Sequence, residues 1–482
     1  MSLKNKALSG VIWTAINQFG MQIINFSVSI LLTRLLLPAE FGLIAMIAIF
    51  FAIGRVLMDS GLGTSLIRSS HLTETDYSTV FFFNLIVSIV VYLIIFVSAP
   101  FIADFYEQAL LTSIIRYYAV VIIIQAFSMV QISRLHKNLN FKTQTKAAIP
   151  SLLVGGLVGV LLAYLGYGVW SIVIMTILQA SLNSILLWVV SSWKPSWDFD
   201  LKKFKYHINF GYKLTLSALI DTIYENLYII LIGKFFAPAQ VGFYNRANTL
   251  QKLPVTSISS VINQVSFSLF SEMKDDNIRL KEAYQKIMKM VIFIIAPTLI
   301  LMAVLAEPLF RFLFTEKWLP AVPYFQILCV NGILYPIHAY NLQILNVKGR
   351  SDLFLKLEII KKVVITVVIV ISFQYGIYGL LYGSVFSSLL LFFVNSHYSG
   401  KFLNYNAWAQ TKDLLPSIIL SLFIGGGVYW LDTFSHQLLN YDVLRLIIFS
   451  LAGALVYTFI AYVLKMDALN EILLIIKPKK KG

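Results

Sequence analysis

Only one cysteine, Cys329, occurs in the 482 residues, so no disulfide can form within the chain and nothing about redox compartment follows. Charge is scarce too. Asp, Glu, Lys and Arg make up 13% of the chain, about half of what a soluble protein carries. Six histidines are scattered without metal-ligand spacing, and no nucleophile motif accompanies them. A phosphate-binding Gly-Lys-Ser/Thr loop is missing, which excludes an in-chain ATPase. No low-complexity tract, long linker or polar soluble domain breaks the sequence. These absences argue against an enzyme. What remains is apolar: 58% of the residues are hydrophobic, and the mean hydropathy is +0.79.

The apolar residues gather into runs long enough to cross a membrane as helices, which takes roughly 20 residues each. Fourteen are readable, at 11–33, 41–61, 79–99, 116–133, 147–165, 168–190, 212–233, 249–270, 288–306, 321–345, 359–375, 377–398, 414–431 and 443–464. The fold class is therefore an all-α integral membrane protein. The basic N-terminus, MSLKNKALSG, precedes a run too long for a signal peptide and without a cleavage site, so the expectation is an uncleaved first span. Net charge is +15, yet the cations sit in short loops and not in a basic domain, which argues against nucleic acid. With the N-terminus inside, 29 of the 38 Lys and Arg fall on the inner side and 8 on the outer, with Arg55 within the second span. Such asymmetry sets topology and predicts both termini in the cytoplasm.

The chain also repeats itself. LLTRLLLPAEFG at 31–42 answers LIGKFFAPAQVG at 231–242, aligning Arg34 with Lys234, Pro38 with Pro238 and Gly42 with Gly242. Later echoes follow in order: Leu139-Asn140-Phe141-Lys142 with Leu345-Asn346-Val347-Lys348, and Tyr167-Gly168-Val169 with Tyr375-Gly376-Ile377. Spans 1 and 7 both run outward, so the expectation is two parallel six-helix repeats. The boundaries read as 1–200 and 201–405, with 406–482 holding two further helices and a basic tail. Repeats of this kind are how many transporters build a central cavity.

Ionisable groups inside spans are expensive and serve as functional candidates by default. Arg55 lies about 9 Å from the inner end of its span, with Asp59 one turn away. They form either a self-neutralising intrahelical pair or, with Arg55 turned to a cavity, a guanidinium fork for an anionic group. Asp221 and Glu225, at i and i+4, share one face of the seventh span. Each is either paired to a neighbouring helix, or the two form a proton or sodium site, where one carboxylate resists ionising beside the other. Asn17, Gln18, Gln22 and Asn25 give the first span a polar face, for lining a hydrophilic cavity or for gluing helices. Arg246, Lys252, Arg311 and Lys317 fall on the outer side, where cations are unusual. His338 reads as a packing residue, Pro254, Pro297 and Pro336 as kinks, and Gly155 with Gly159 as a close-packing face.

The stretches ALSGVIWTAINQFGMQIINF at 7–26, DSGLGTSLIRSSHLTETDYSTVFFFNL at 59–85, IGKFFAPAQVGFYNRANTLQKLPV at 232–255 and YPIHAYNLQILNVKGRSDLFLKLEIIKK at 335–362 carry a family likeness. With LLTRLLLPAEFGLIAM at 31–46 and EKWLPAVPYFQIL at 316–328, the sequence resembles the polysaccharide (Wzx-type) flippases of the multidrug, oligosaccharidyl-lipid and polysaccharide exporter superfamily. The similarity is nearest to the colanic acid and teichuronic acid exporter branch. The resemblance implies a flippase for undecaprenyl-pyrophosphate-linked oligosaccharides in the bacterial plasma membrane, serving capsule, exopolysaccharide or O-antigen synthesis. Its partners would be the lipid-linked oligosaccharide, membrane lipids and the glycan polymerase machinery. No cofactor is called for, and a proton or sodium gradient is the candidate energy source. The alternatives are an ion-coupled multidrug exporter of the same superfamily and, ranked below it, a membrane-embedded glycan polymerase or ligase.

Overall fold

Lipid offers no hydrogen-bond partner to the backbone, so a chain this apolar must satisfy its amides internally, and helices do so. The computed structural model describes residues 3–191, 193–435 and 441–476. Within these residues it is helical with no strand. In chain order the first elements are α1 (Leu3–Leu35), α2 (Pro38–Asp59), α3 (Leu62–Arg68), α4 (Glu74–Phe105) and α5 (Leu110–Tyr118). They continue with α6 (Val120–Lys137), α7 (Phe141–Tyr164), α8 (Val169–Val190), α9 (Leu201–Phe235) and α10 (Pro238–Glu272). Then come α11 (Asn277–Val304), α12 (Ala306–Phe314), a 3-10 turn (Glu316–Ala321), α13 (Val322–Val347), α14 (Ser351–Phe373) and α15 (Gly376–Leu403). The last are α16 (Ala407–Ser435), α17 (Asp442–Val463) and α18 (Asp467–Ile476).

Each expected span falls on one of these helices or on a helix with its short neighbour. Eleven spans among the described residues are long and apolar enough to cross a membrane, which makes this a multi-pass membrane protein. The other three expected spans lie on α1, α10 and α14. The last carries Lys356, Glu358, Lys361 and Lys362, and α10 is rich in Ser, Asn and Gln.

Packing divides the chain into two units, Met1–Gly242 and Phe243–Gly482. In the first, α1 lies on α7, α4 on α6, and α8 on both α6 and α7. In the second, α11 lies on α13, and α15 on both α13 and α14. The third, fourth, fifth and sixth spans of each repeat thus pack in the same pattern, and in both a short helix precedes the fourth. The seventh span, α9, packs on α2, α3 and α4 of the first unit. GxxxG acts as expected. A methyl group on Gly155 would lie 2.2 Å from the Gln179 side chain and one on Gly159 2.8 Å from Met175, so α7 approaches α8 closely.

The second unit carries α16 and α17. An apolar cluster of Phe293, Leu301, Leu420, Ile424, Val428, Phe449 and Tyr457 fastens them to α11. Arg445 on α17 is gripped by Asp432 on α16 through two bonds of 2.9 and 2.7 Å, both residues buried. Arg445 and Arg311 of α12 both reach Asp442 Oδ1, at 3.3 and 3.4 Å, and Arg311 also pairs with Glu307. A buried, bidentate pair of this kind fixes geometry more than it adds net stability.

The repeated motif makes the tightest contact. Pro38 and Pro238 each open a helix, where a proline's missing N–H costs nothing. Glu40 accepts from Leu37 N at 2.7 Å, and its counterpart Gln240 from Ala237 N at 3.3 Å. A methyl group on Gly42 would sit 1.8 Å from the Pro238 carbonyl oxygen, and one on Gly242 2.0 Å from that of Pro38. The two motifs clasp each other reciprocally, backbone to backbone. We therefore expect Gly42→Ala or Gly242→Ala to destabilise the protein by about 1–3 kcal/mol through overpacking. Gly426→Ala, which points into open space, should be neutral. Thermal unfolding of the purified variants measures the difference, and equal midpoints for Gly42→Ala and Gly426→Ala would contradict the contact.

Candidate functional site

The candidate residues lie on three helices of the first unit: α1, α2 and α9. Helix α2 runs against α9 with small residues at both ends. Gly233 meets Met46 and Tyr106, while at the other end a methyl group on Gly211 would lie 2.2 Å from the Ser60 carbonyl oxygen. Gly61 (φ 66°) and Ser60 (φ 48°) are left-handed there, turning the chain sharply from α2 into α3. These contacts make α2 and α9 antiparallel neighbours.

Arg55 is exposed on α2 and makes no direct ion pair with Asp59; Asp59 Oδ1 accepts from Gly63 N at 3.1 Å, capping α3, while its charge still attracts the guanidinium one turn away. Neither Arg55 nor Glu225 forms an ion pair among the described residues. Asp221 and Glu225 are both exposed on α9, one turn apart, and Asp221 makes an interaction of its own. Their polar neighbours turn inward to the helix. Thr222 Oγ1 donates to Ala218 O at 2.7 Å, and Asn226 Nδ2 to Thr222 O at 2.8 Å. On α1, Gln18 and Asn25 are exposed and Gln22 half-buried, at i, i+4 and i+7 along one stripe. The Asn17 side chain lies outside the described residues.

Other sequence candidates resolve into packing. Arg246 is buried with its guanidinium 5.3 Å from the Phe314 ring and 5.6 Å from that of Trp318, a cation–π arrangement. Arg311 is held by Glu307 and Asp442, while Lys252 is exposed. His338 hydrogen-bonds Ser388 at 2.9 Å and Asn395 at 3.2 Å, as a satisfied core residue does. Pro254, Pro297 and Pro336 sit inside α10, α11 and α13.

Sequence reading missed a second constellation. Ser65 Oγ lies 2.8 Å from His207 Nδ1, His207 Nε2 lies 3.3 Å from Asp76 Oδ1, and Lys203 Nζ lies 2.9 Å from Asp76 Oδ2. These are the residue types of a hydrolase triad. Ser65 is only 2% exposed and His207 0%, so no substrate reaches them. The cluster is a polar staple joining α3, α4 and α9. One signal for it was legible: Thr73-x-x-Asp76 is a capping box, with Asp76 accepting from Thr73 N at 2.8 Å.

Three charged groups and a stripe of amides thus lie on apolar helices of the first unit. A family model described as "Polysaccharide biosynthesis protein" matches residues 31–323, more than half of the chain. The chain belongs to this family. Family relatives include the teichuronic acid biosynthesis protein TuaB of Bacillus subtilis (strain 168), 28% identical over 73% of each chain. The lipopolysaccharide biosynthesis protein WzxC of Escherichia coli (strain K12) is 24% identical over 88% of this chain and 89% of its own. Among solved structures, the lipid II flippase MurJ in its inward closed conformation shares the fold. Its TM-score is 0.74 at 14% identity, covering 93% of this chain and 98% of MurJ.

If Arg55 and Glu225 face water, their cysteine substitutes should react with a membrane-impermeant thiol reagent in a Cys329→Ala background. Met58→Cys, at a position 0% exposed, should not. Silence at both Arg55→Cys and Glu225→Cys would place these side chains against lipid or protein.

Proposed function

We propose that this member of the polysaccharide biosynthesis family flips undecaprenyl-pyrophosphate-linked oligosaccharide units across the bacterial plasma membrane by alternating access. Its working parts are two parallel repeats, 1–200 and 201–405, with 406–482 as an added hairpin and tail. The observation that carries the reading is the match of fold with a lipid flippase over nearly the whole of both chains, within a polysaccharide biosynthesis family. The fit of residues to cargo supports it. Arg55, with its side chain exposed, offers bidentate hydrogen bonds suited to a pyrophosphate. Gln18, Gln22 and Asn25 supply donors and acceptors for sugar hydroxyls, and amides are costly against lipid unless a polar phase meets them.

Asp221 and Glu225 are the candidate ion-coupling pair. Two carboxylates one turn apart in a span favour sharing a proton or a sodium ion. Downstream, the glycan polymerase machinery would receive the flipped unit.

Arg55→Gln and the double variant Asp221→Asn/Glu225→Gln are expected to reach the membrane at normal levels. Glycan export in a complementation assay should fall by roughly tenfold or more, as for loss of a charge-assisted contact worth at least 1.4 kcal/mol. Full export by both would reduce these residues to structural ones. Drug or dye resistance with intact glycan export would favour the multidrug reading.

The finer topology is part of the same proposal: both termini lie in the cytoplasm, as the Lys/Arg asymmetry requires. Single cysteines at Asp104 and Lys479 should label from opposite sides of sealed cells. Labelling of both from one side would overturn it.

A further inference from the structure

An open cavity of about 680 Å³ lies at the turn between α15 and α16, in the second unit. Its shape comes from a tight reversal of the chain. Asn404 is left-handed (φ 47°), and a methyl group on Gly400 would fall 2.7 Å from the Tyr405 carbonyl oxygen, so only glycine lets the turn close. Its volume is in the usual range for small-ligand sites.

The wall is made of donors. Lys401 and His397 project from the last turns of α15, and no carboxylate lines the cavity. Asn406 Oδ1 accepts from Ala409 N at 2.9 Å, which leaves its NH2 group for a ligand. The first turn of α16, at Ala407 and Trp408, adds backbone N–H groups at the positive end of a 29-residue helix. Neighbouring clefts differ in kind. There Lys286 pairs with Glu471 at 2.8 Å and Lys289 with Asp467 at 3.1 Å, so their cations are already engaged. Lys401 and His397 form no ion pair among the described residues.

The rim is apolar and faces outward. Trp408, at the start of α16, is 65% exposed, where tryptophan marks the membrane–water interface, and Phe393, about three turns inside α15, is 55% exposed. Lys412 Nζ stands 5.7 Å over the Trp408 ring, which holds the indole against the basic edge. A ligand that suits both rim and wall has a phosphate for the wall and hydrocarbon for the rim.

We infer that this cavity binds the phosphate of an anionic membrane phospholipid, with the acyl chains lying along α15 and α16. The inference is independent of the flippase reading, because it concerns a resident lipid and not the transported one.

The test uses the full-length protein in nanodiscs of mixed phosphatidylglycerol and phosphatidylcholine, with retained lipids counted by native mass spectrometry. Phosphatidylglycerol should be retained in preference, and Lys401→Gln should reduce that retention roughly five-fold, the weight of one lysine at an anionic surface. Lys401→Arg should keep it, which separates lost charge from lost folding. Equal retention of the two lipids, or unchanged retention in the His397→Gln/Lys401→Gln double variant, would overturn the assignment. So would displacement of phosphatidylglycerol by millimolar inorganic phosphate, since the site would then serve a free anion, or by a polyprenyl pyrophosphate alone, since it would then serve the cargo. Export plays no part in the readout, so the failure of this inference and of the flippase reading remain distinguishable.

Discussion

Close approach of backbones at the paired Pro-Ala-x-x-Gly motifs is the constraint on which the first unit depends. Gly42 faces the Pro238 carbonyl and Gly242 the Pro38 carbonyl, with less room than any side chain needs. Because α1 ends at Leu35 and α9 at Phe235, and α2 and α10 begin at the two prolines, the contact holds four helix ends at once. From it α2 and α9 run together until Gly61 and Gly211 meet. Apolar side chains cannot supply such a constraint in lipid, where burying them against protein or hydrocarbon differs little. Close packing between small residues carries the association instead.

Charge is managed with similar economy. Cations on the expected outer side break the usual asymmetry, and several are neutralised where they stand. Lys234 pairs with Glu107 at 2.9 Å, Arg445 with Asp432, and Arg311 with Glu307 and Asp442. Arg116 lies 4.5 Å over the Phe96 ring. Against this pattern, Arg55 and Glu225 stand out as exposed span charges that make no direct ion pair among the described residues. The cost of such a placement is a physical reason to look for function there.

Helices and repeats were legible because both are one-dimensional signals. A run of apolar residues sets a span by length, and an offset of 200 between two prolines survives folding unchanged, reappearing at Leu35 and Phe235, at Pro38 and Pro238, and at Glu40 and Gln240. The i, i+4 spacing of Asp221 and Glu225 was equally local. What sequence could not give was partnership across helices. For Arg55 and Asp59 the sequence left two readings open, a self-neutralising pair or a guanidinium turned to a cavity, and the bond from Gly63 N to Asp59 is one that reading did not anticipate. Arg246 and Arg311 read only as cations on an unusual side, whereas the rings of Phe314 and Trp318 and the distant carboxylate of Asp442 engage them, with Glu307 the one local partner. The Ser65–His207–Asp76 staple joins residues up to 142 positions apart, beyond any spacing rule.

Helices α16 and α17 sit outside the repeat in sequence, but the second unit does not treat them as optional. Gly425 lies against Ile300 and Gly453 against Leu301, so the hairpin is keyed into α11 where only hydrogen atoms fit. Arg311 reaches one of its two carboxylate partners, Asp442, only through that hairpin. Shortening the chain to a twelve-helix version would therefore not return a simpler ancestor-like scaffold. It would strip the lining from α11 and leave an arginine short of a counter-ion. Any design that trims, permutes or fuses within this region must replace a structural component, not remove an accessory.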